Sequence, residues 1–302
     1  MKNIGLIGAG AVGAYFIWGL SKKEEINFFV IAKDKRREKL QNNGMIINGE
    51  TFYFPVKEPK EIEELDLLLV SCKYDGLKET VEEIKAAVKE NTVVISLLNG
   101  VTSEEIIAKE IGEKHLLYSV MRISSERKGN EITFVPEKTA GIFLGEKDSK
   151  IPTKRVLQVE KLFQDTGIRY HFVEDIMGDI WLKYASNVSQ NLPQAILSVG
   201  YQAYLDSNNV AMIASKLWKE VVRVAEAKGI TLPGEFAPFR GVSPEARFST
   251  LQDLDAKRHT EIEMFAGDMI KMGRELGIEV PFCEYTYYLI KAMEEKNDGI
   301  IR

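Results

Sequence analysis

The sequence predicts an α/β chain in two parts. A doubly wound parallel-sheet domain occupies residues 1–170, and an all-α domain follows over residues 171–302. Three observations predict this. Short, almost uninterrupted apolar runs alternate with amphipathic stretches through the first half, the pattern of parallel strands buried on both faces by helices. A glycine-rich turn joins the first of those runs to the first helix. After about Asp175 strand-like runs cease, and helical periodicity continues to the C-terminus.

Taken in order, "NIGLIG" reads as a strand and Ala11 to Lys22 as a helix. "INFFVIA" is a second strand, followed by a charged helix from Asp34 to Asn42. "LDLLLVSC" is a third, with a helix over Gly76 to Lys89, and "TVVISLL" a fourth, with a helix over Ser103 to Ile111. Shorter β-rich pieces follow, including "EITFV" and "TAGIFLG". The segment Ile151 to Gln164 reads as a helix and "IRYHFV" as a last strand. The helical half is interrupted at "PGEFAPFRGVSP", where proline and glycine break the periodicity.

A length of 302 residues with 45% hydrophobic residues supports two cores. The net charge of −5 arises from 45 acidic and 40 basic residues mixed along the chain. No basic stripe stands out, so nucleic acid is not the expected partner. Cys72 and Cys283 form no paired motif, and His115, His171 and His259 are scattered, so no metal-ligand set emerges. Two isolated cysteines fit a reducing cytoplasm. The N-terminal "IGLIGAGAVGAYFIWGL" has the apolar look of a signal peptide, but its glycines at 8, 10 and 13 would weaken such a helix. No other run approaches the ~20 apolar residues of a membrane span, so no membrane association is expected.

The glycine-rich turn is Gly8-Ala9-Gly10-Ala11-Val12-Gly13. A lone GxGxxG is weak; here it follows a strand and opens a helix, the context that gives it meaning. Gly8 permits the tight turn, Gly10 lets the backbone approach a pyrophosphate, and Gly13 lets the helix lie close to the sheet. Phosphates would rest on the helix N-terminus, where free N–H groups and the macrodipole favour anions. The turn reads as a dinucleotide site. Which dinucleotide depends on the end of the second strand, "FFVIAKDKRR". Lys33 there can pair with a 2′-phosphate, with Arg36 or Arg37 assisting, which predicts NADPH over NADH. Asp34 is one residue away, and a shift of one would put an acid near the ribose. An ordinary solvated charge is the other reading of Lys33.

Ligands of such sheets bind outside the carboxyl ends of the strands. "SCKYD" places Lys73 just after the third core strand and "LLNGV" places Asn99 just after the fourth. Asn-Gly commonly marks a hairpin, but the flanking pattern here is strand then helix, so Asn99 is expected to face the crevice.

In "WLKYASNVSQN", Lys183, Asn187 and Asn191 lie four residues apart. On one helix they form a single polar stripe, although asparagine costs roughly 0.6 kcal/mol relative to alanine in a helix interior. Eight residues of α-helix span about 12 Å at ~1.5 Å per residue. A second polar cluster, "RFSTLQDLDAKRHTEIEMF", contains Ser249 and Glu261. Arg247, Asp253, Asp255, Lys257 and Arg258 make a solvated helix face the plain reading of much of it. Glu261 beside a lysine can tune that lysine or accept from a substrate hydroxyl.

With GAGAVG at the N-terminus, Cys72-Lys73, LLNGV, the K-x3-N-x3-N helix, and Ser249 and Glu261 running through "KRHTEIE", the chain resembles the ketopantoate reductase (2-dehydropantoate 2-reductase) family along nearly its whole length. The resemblance implies a Rossmann domain followed by a helical domain related to that of 6-phosphogluconate dehydrogenase. It implies reduction of 2-dehydropantoate to pantoate with NADPH, on the route to pantothenate and coenzyme A. Carried over by position, Lys183 is the proton donor, Asn187, Asn191 and Ser249 bind substrate, and Glu261 lies beside cofactor and substrate. Gly8 to Gly13, Lys73 and Asn99 match cofactor contacts, as does Ser125 in "ISSERKGN", and Lys33 stands where many members carry an arginine for the 2′-phosphate.

The chain also departs from the family's pattern. "LPQA" follows Asn191 where many members have "PLTA", "VGYQAY" lacks a further asparagine, and Ala246 replaces an asparagine found in some. These changes fall around the substrate. A reductase of another 2-oxoacid or β-hydroxyacid is therefore the same-class alternative. An NADP(H)-binding regulator without catalysis is the alternative from a different class, and the presence of Lys183 and Glu261 argues against it. The apolar "MIASKLWKEVVRVA" can be buried within the helical domain or across a homodimer.

Overall fold

The computed structural model describes residues 1–239 and 241–301, and the chain divides into two compact units, residues 1–179 and 180–302. The first unit begins with β1 (Asn3–Ile7), α1 (Ala11–Leu20), β2 (Asn27–Ile31) and α2 (Asp34–Asn43). Next come β3 (Met45–Ile47), β4 (Glu50–Phe52), β5 (Val56–Lys57), β6 (Leu67–Val70), α3 (Leu77–Ala87), β7 (Val93–Ser96) and α4 (Ser103–Ile111). The rest is β8 (Tyr118–Arg122), β9 (Ser125–Lys128), β10 (Glu131–Phe134), β11 (Gly141–Gly145), α5 (Lys154–Phe163) and β12 (Tyr170–Phe172).

Five strands form one parallel sheet in the order β5-β2-β1-β6-β7. β6 is apolar and buried throughout, and β1 and β2 are buried after their first residue, because helices cover both faces. The chain runs outward from β1 to β2 and β5, then returns to the other side of β1 at β6. That reversal opens a crevice at the carboxyl ends of the strands. This is the Rossmann-like fold that the alternation of apolar runs predicts. α1 is apolar on every side, with Tyr15, Phe16, Ile17 and Leu20 buried, since it lies in the core rather than on its surface.

Two smaller sheets, β4-β3-β10-β9 and β12-β11-β8, are only partly visible in the sequence. The hairpin β3–β4 turns on Asn48 and Gly49, both with positive φ (49° and 80°), as a two-residue turn of this kind requires. Strands of three residues are too short to frame that Asn-Gly pair with a recognisable alternation in the sequence.

The second unit is helical. α6 (Ile176–Ser186) crosses into it and leads through a π-helical turn, Asn187–Asn191, to α7 (Leu192–Leu197). α8 (Ala203–Asp206), α9 (Asn208–Ala227) and α10 (Ser249–Asp255) follow. A second π-helical turn, Glu263–Gly267, then runs into α11 (Asp268–Leu276), and α12 (Pro281–Asn297) ends the unit. No strand occurs in this unit among the described residues, and none of their helices is long and apolar enough to cross a membrane. The Ser207 hydroxyl caps α9 by accepting from Val210 N–H. α9 buries Leu217, Trp218, Val221 and Val224 within the unit, while Met212 and Ile213 stay exposed.

Candidate functional site

Because all five strands of the parallel sheet run one way, the loops after β1, β2, β6 and β7 emerge at the same end. The loop after β1 is the glycine turn. Gly8 has φ +96°, and a Cβ there would lie 2.4 Å from the Ser71 carbonyl carbon, so only glycine fits. Gly13 is equally constrained: its Cβ would lie 2.1 Å from the Gly8 carbonyl oxygen. The Ser71 hydroxyl, from the end of β6, donates to that same oxygen at 2.5 Å and ties the two strand ends together. Gly10 differs. A Cβ on Gly10 would meet no atom within 4 Å, so its backbone faces open space at the N-terminus of α1. The first turn of α1 carries no acidic residue. An exposed cradle of uncapped N–H groups is what a pyrophosphate needs. The residues present therefore fit a dinucleotide, with Ala9, Ala11 and Val12 partly exposed around the turn.

After β2, Ala32 is buried and Lys33 is the first exposed residue, in extended conformation. Asp34 turns into α2 with φ 49°. Lys33 Nζ pairs with Glu83 of α3 at 3.2 Å. The expected help from Arg37 is not available, because Arg37 bridges Glu58 and Glu61 at 3.0 Å each. The arginine sits where two acids converge, and they compete with any further anion for its guanidinium. Arg36 stays exposed on the first turn of α2.

Lys73 follows β6, exposed, at the head of a short 3₁₀ turn. Asn99 follows β7, in a strand-to-helix loop with Gly100 at φ +94°, and the hairpin reading of this Asn-Gly pair does not apply. The two loops meet where Tyr74 and Thr102 share a 3.1 Å hydroxyl–hydroxyl hydrogen bond. Below the Asn99 loop lies a buried polar chain missed in the sequence. Ser119 donates to the Ser96 carbonyl, the Ser96 and Ser103 hydroxyls bond at 2.8 Å, and Ser103 donates to Glu104 at 2.7 Å. Burial raises the Glu104 carboxyl to about 7, against the opposing Ser103 hydrogen bond. Ser125 lies apart from these loops, on β9, an edge of the mixed sheet that packs on α1.

In the helical unit, Lys183 is half-buried on α6. The straight helix expected for Lys183, Asn187 and Asn191 is not what forms. α6 ends at Ser186, and the two asparagines bound the π-helical turn. The wider turn changes their angular relation, and Asn191 Nδ2 donates to Asn187 Oδ1 at 3.4 Å. Single π turns inside helices recur at functional sites. Asn191 is buried and Asn187 partly exposed.

Ser249 and Glu261 do not share a helix. α10 starts at Ser249, which is exposed, and stops at Asp255 before a break in which Lys257 has φ 52°. Arg247 pairs with Asp255, and Arg258 with Asp253 at 2.8 Å; these charges are largely solvated, but only Asp253 and Asp255 lie on α10, so they do not form a single helix face. Glu261 is half-buried just ahead of the second π turn, which packs against the first. Its approach is set by Glu294 of α12, which accepts from both the amide and the hydroxyl of Thr260 at 2.7 Å. Burial by itself would raise the Glu294 carboxyl, but the Thr260 and Lys291 hydrogen bonds outweigh it and hold the carboxyl below its ordinary value. No local pattern in the sequence marks Glu294, because its partner is thirty-four residues away.

The family description "Ketopantoate reductase PanE/ApbA" matches residues 4–148, and "Ketopantoate reductase PanE/ApbA C terminal" matches residues 175–294. The chain belongs to the ketopantoate reductase family. Its relatives include the 2-dehydropantoate 2-reductase of Streptococcus pyogenes serotype M3, 25% identical over 96% of this chain and 97% of that protein. The 2-dehydropantoate 2-reductase of Archaeoglobus fulgidus is 27% identical over 97% of this chain and 98% of its own length. Among solved structures, D-mandelate dehydrogenase with NADH and anilino(oxo)acetate superposes with a TM-score of 0.83, at 20% identity, over 98% of this chain and all of that one, a likeness of fold. As a ketopantoate reductase family member, the chain is an oxidoreductase acting on a CH–OH group.

Proposed function

We propose that this protein reduces 2-dehydropantoate to pantoate with NADPH. The observation that carries the reading is the match of both family descriptions across both units, together with relatives of that activity aligned over almost their full length. Supporting it, the glycine turn presents an open backbone cradle at Gly10, and Lys33 with Arg36 stands at the end of β2 where a 2′-phosphate would lie.

Gly8 to Gly13, Lys33, Lys73 and Asn99 would hold the dinucleotide. When bound, a reduced nicotinamide supplies the hydride that converts a ketone to an alcohol. Negative charge then develops on the ketone oxygen. Lys183 stabilises it and delivers the proton from Nζ, a role worth roughly 10²- to 10⁴-fold. Asn187, Asn191 and Ser249 orient the oxoacid by neutral hydrogen bonds, and Glu261 lies beside substrate and cofactor, an acceptor for a hydroxyl or for the lysine.

A second reading is a reductase of another 2-oxoacid, with NADH. The Lys33–Glu83 ion pair favours it, since an acid beside the lysine opposes a 2′-phosphate. Oxidation of NADPH and of NADH by the purified protein, with 2-dehydropantoate, 2-oxoisovalerate and 2-oxopantolactone, separates the two. The proposal expects the highest kcat/KM for NADPH with 2-dehydropantoate. A higher value for another acid, or for NADH, overturns it.

A further inference from the structure

Gln194 is a long polar residue with no solvent exposure, on α7, three residues after Asn191. A buried amide is costly unless both its ends are paired. Here both are, and to the same short segment. Nε2 donates to the carbonyl of Ala246 at 2.8 Å, and Oε1 accepts from the N–H of Phe248 at 2.7 Å. A C=O and an N–H two residues apart, engaged from one side, form the pattern an adjoining strand would read. The planar amide of glutamine carries one donor and one acceptor at the matching spacing.

The segment so held leads directly into Ser249. Phe248 is the N-cap residue of α10 and supplies no side-chain cap, so the entry angle of that helix depends on how its preceding backbone is anchored. The anchor comes from the same run that bears Asn187 and Asn191. Gln194 and Ala246 are also two of the positions at which the chain departs from the family's pattern, and the structure shows that the two departures touch.

We propose that Gln194 is a positioning residue that sets Ser249 against the Asn187–Asn191 turn and so fixes the spacing at which the oxoacid is held. The inference rests on the reading of Ser249 as a substrate contact. The test is a double-mutant cycle of Gln194→Met, which keeps length and loses both bonds, with Ser249→Ala. Kinetics are measured for the oxoacid and for the nicotinamide cofactor. Each single variant is expected to raise the oxoacid KM about tenfold, leaving the cofactor KM within about twofold. The double variant is expected to be little worse than either, since Ser249 is lost to the substrate in both. Gln194→Asn keeps both the donor and the acceptor but is one methylene shorter, so it holds the Ala246–Phe248 backbone less closely. It is expected to fall between wild type and Gln194→Met, and it serves if the methionine variant does not fold. A raised KM in Ser249→Ala with a normal KM in both Gln194 variants overturns the clamp alone. Additive effects in the cycle do the same. A normal KM in Ser249→Ala overturns the reading of Ser249, and the proposal with it.

Discussion

The hydroxyl of Tyr184 donates to the backbone carbonyl of Phe265 at 2.5 Å, in the fully buried centre of the helical unit. Tyr184 is the neighbour of Lys183, and Phe265 lies in the π turn that opens two residues after Glu261. One buried hydrogen bond thus joins the segment carrying the proposed proton donor to the segment carrying the proposed acid. Tyr184→Phe strands that carbonyl. It is expected to lower unfolding free energy by about 1–3 kcal/mol, read from urea denaturation. An unchanged midpoint would mean that the contact adds nothing.

Lys183→Ala is expected to lower kcat at least about 100-fold while cofactor affinity, measured by fluorescence titration, is retained. Near-normal kcat removes Lys183 from the role of proton donor.

Gly10 and Gly13 belong to one motif but should fail differently. Gly10→Val adds a side chain into open space, so stability should stay within about 0.5 kcal/mol while cofactor affinity falls at least tenfold. Gly13→Val drives a Cβ into the Gly8 carbonyl, and about 1–3 kcal/mol of stability should be lost. Equal stability losses in the two would contradict the geometry.

Lys33 pairs with Glu83 at 3.2 Å, so if Lys33 receives a 2′-phosphate the same contact bears on cofactor choice. Lys33→Ala should raise the KM for NADPH about tenfold, equivalent to ~1.4 kcal/mol, with that for NADH unchanged. Glu83→Gln releases the lysine and should lower the KM for NADPH. A loss of NADPH affinity in Glu83→Gln would reverse the assignment.

Glu104 is buried with its carboxyl raised from 4.5 to about 7. The folded state therefore binds this proton more tightly than the unfolded state does. Its contribution is fully present below about pH 4.5 and is lost as pH rises through about 7, by about 3 kcal/mol in all. Glu104→Gln keeps a neutral group of the same shape. Its thermal midpoint should exceed that of the wild type at pH 8 and converge with it near pH 4.5. A difference that does not change with pH would show that Glu104 does not titrate in this window.

The parallel-sheet unit was legible because its signals are local. "GAGAVG" announces its turn through Gly8 and Gly13, where no Cβ fits, and β6 and most of β7 are apolar since both their faces are covered. The two small sheets were not, as three-residue strands such as Met45–Ile47 carry too little pattern. Spacing predicted the Lys183–Asn187–Asn191 stripe as regular helix, and the π turn departs from it. Spacing along a chain assumes one helical pitch, whereas the pitch here follows from packing against α9 and the second π turn. Residues that position others, Gln194 over Ala246 and Glu294 over Thr260, have partners 52 and 34 positions away.

By itself, then, the sequence determined the alternation of the main parallel strands with their helices, the glycine turn and the polar residues available for chemistry, because each follows from sterics or periodicity within a few residues. Only the tertiary structure decided which charges remain for a ligand. It turned Arg37 to Glu58 and Glu61, set Glu83 against Lys33, and widened the helix at Asn187. Those outcomes depend on groups distant in the chain meeting in space, and hydrogen bonds and ion pairs form only over the last few ångströms.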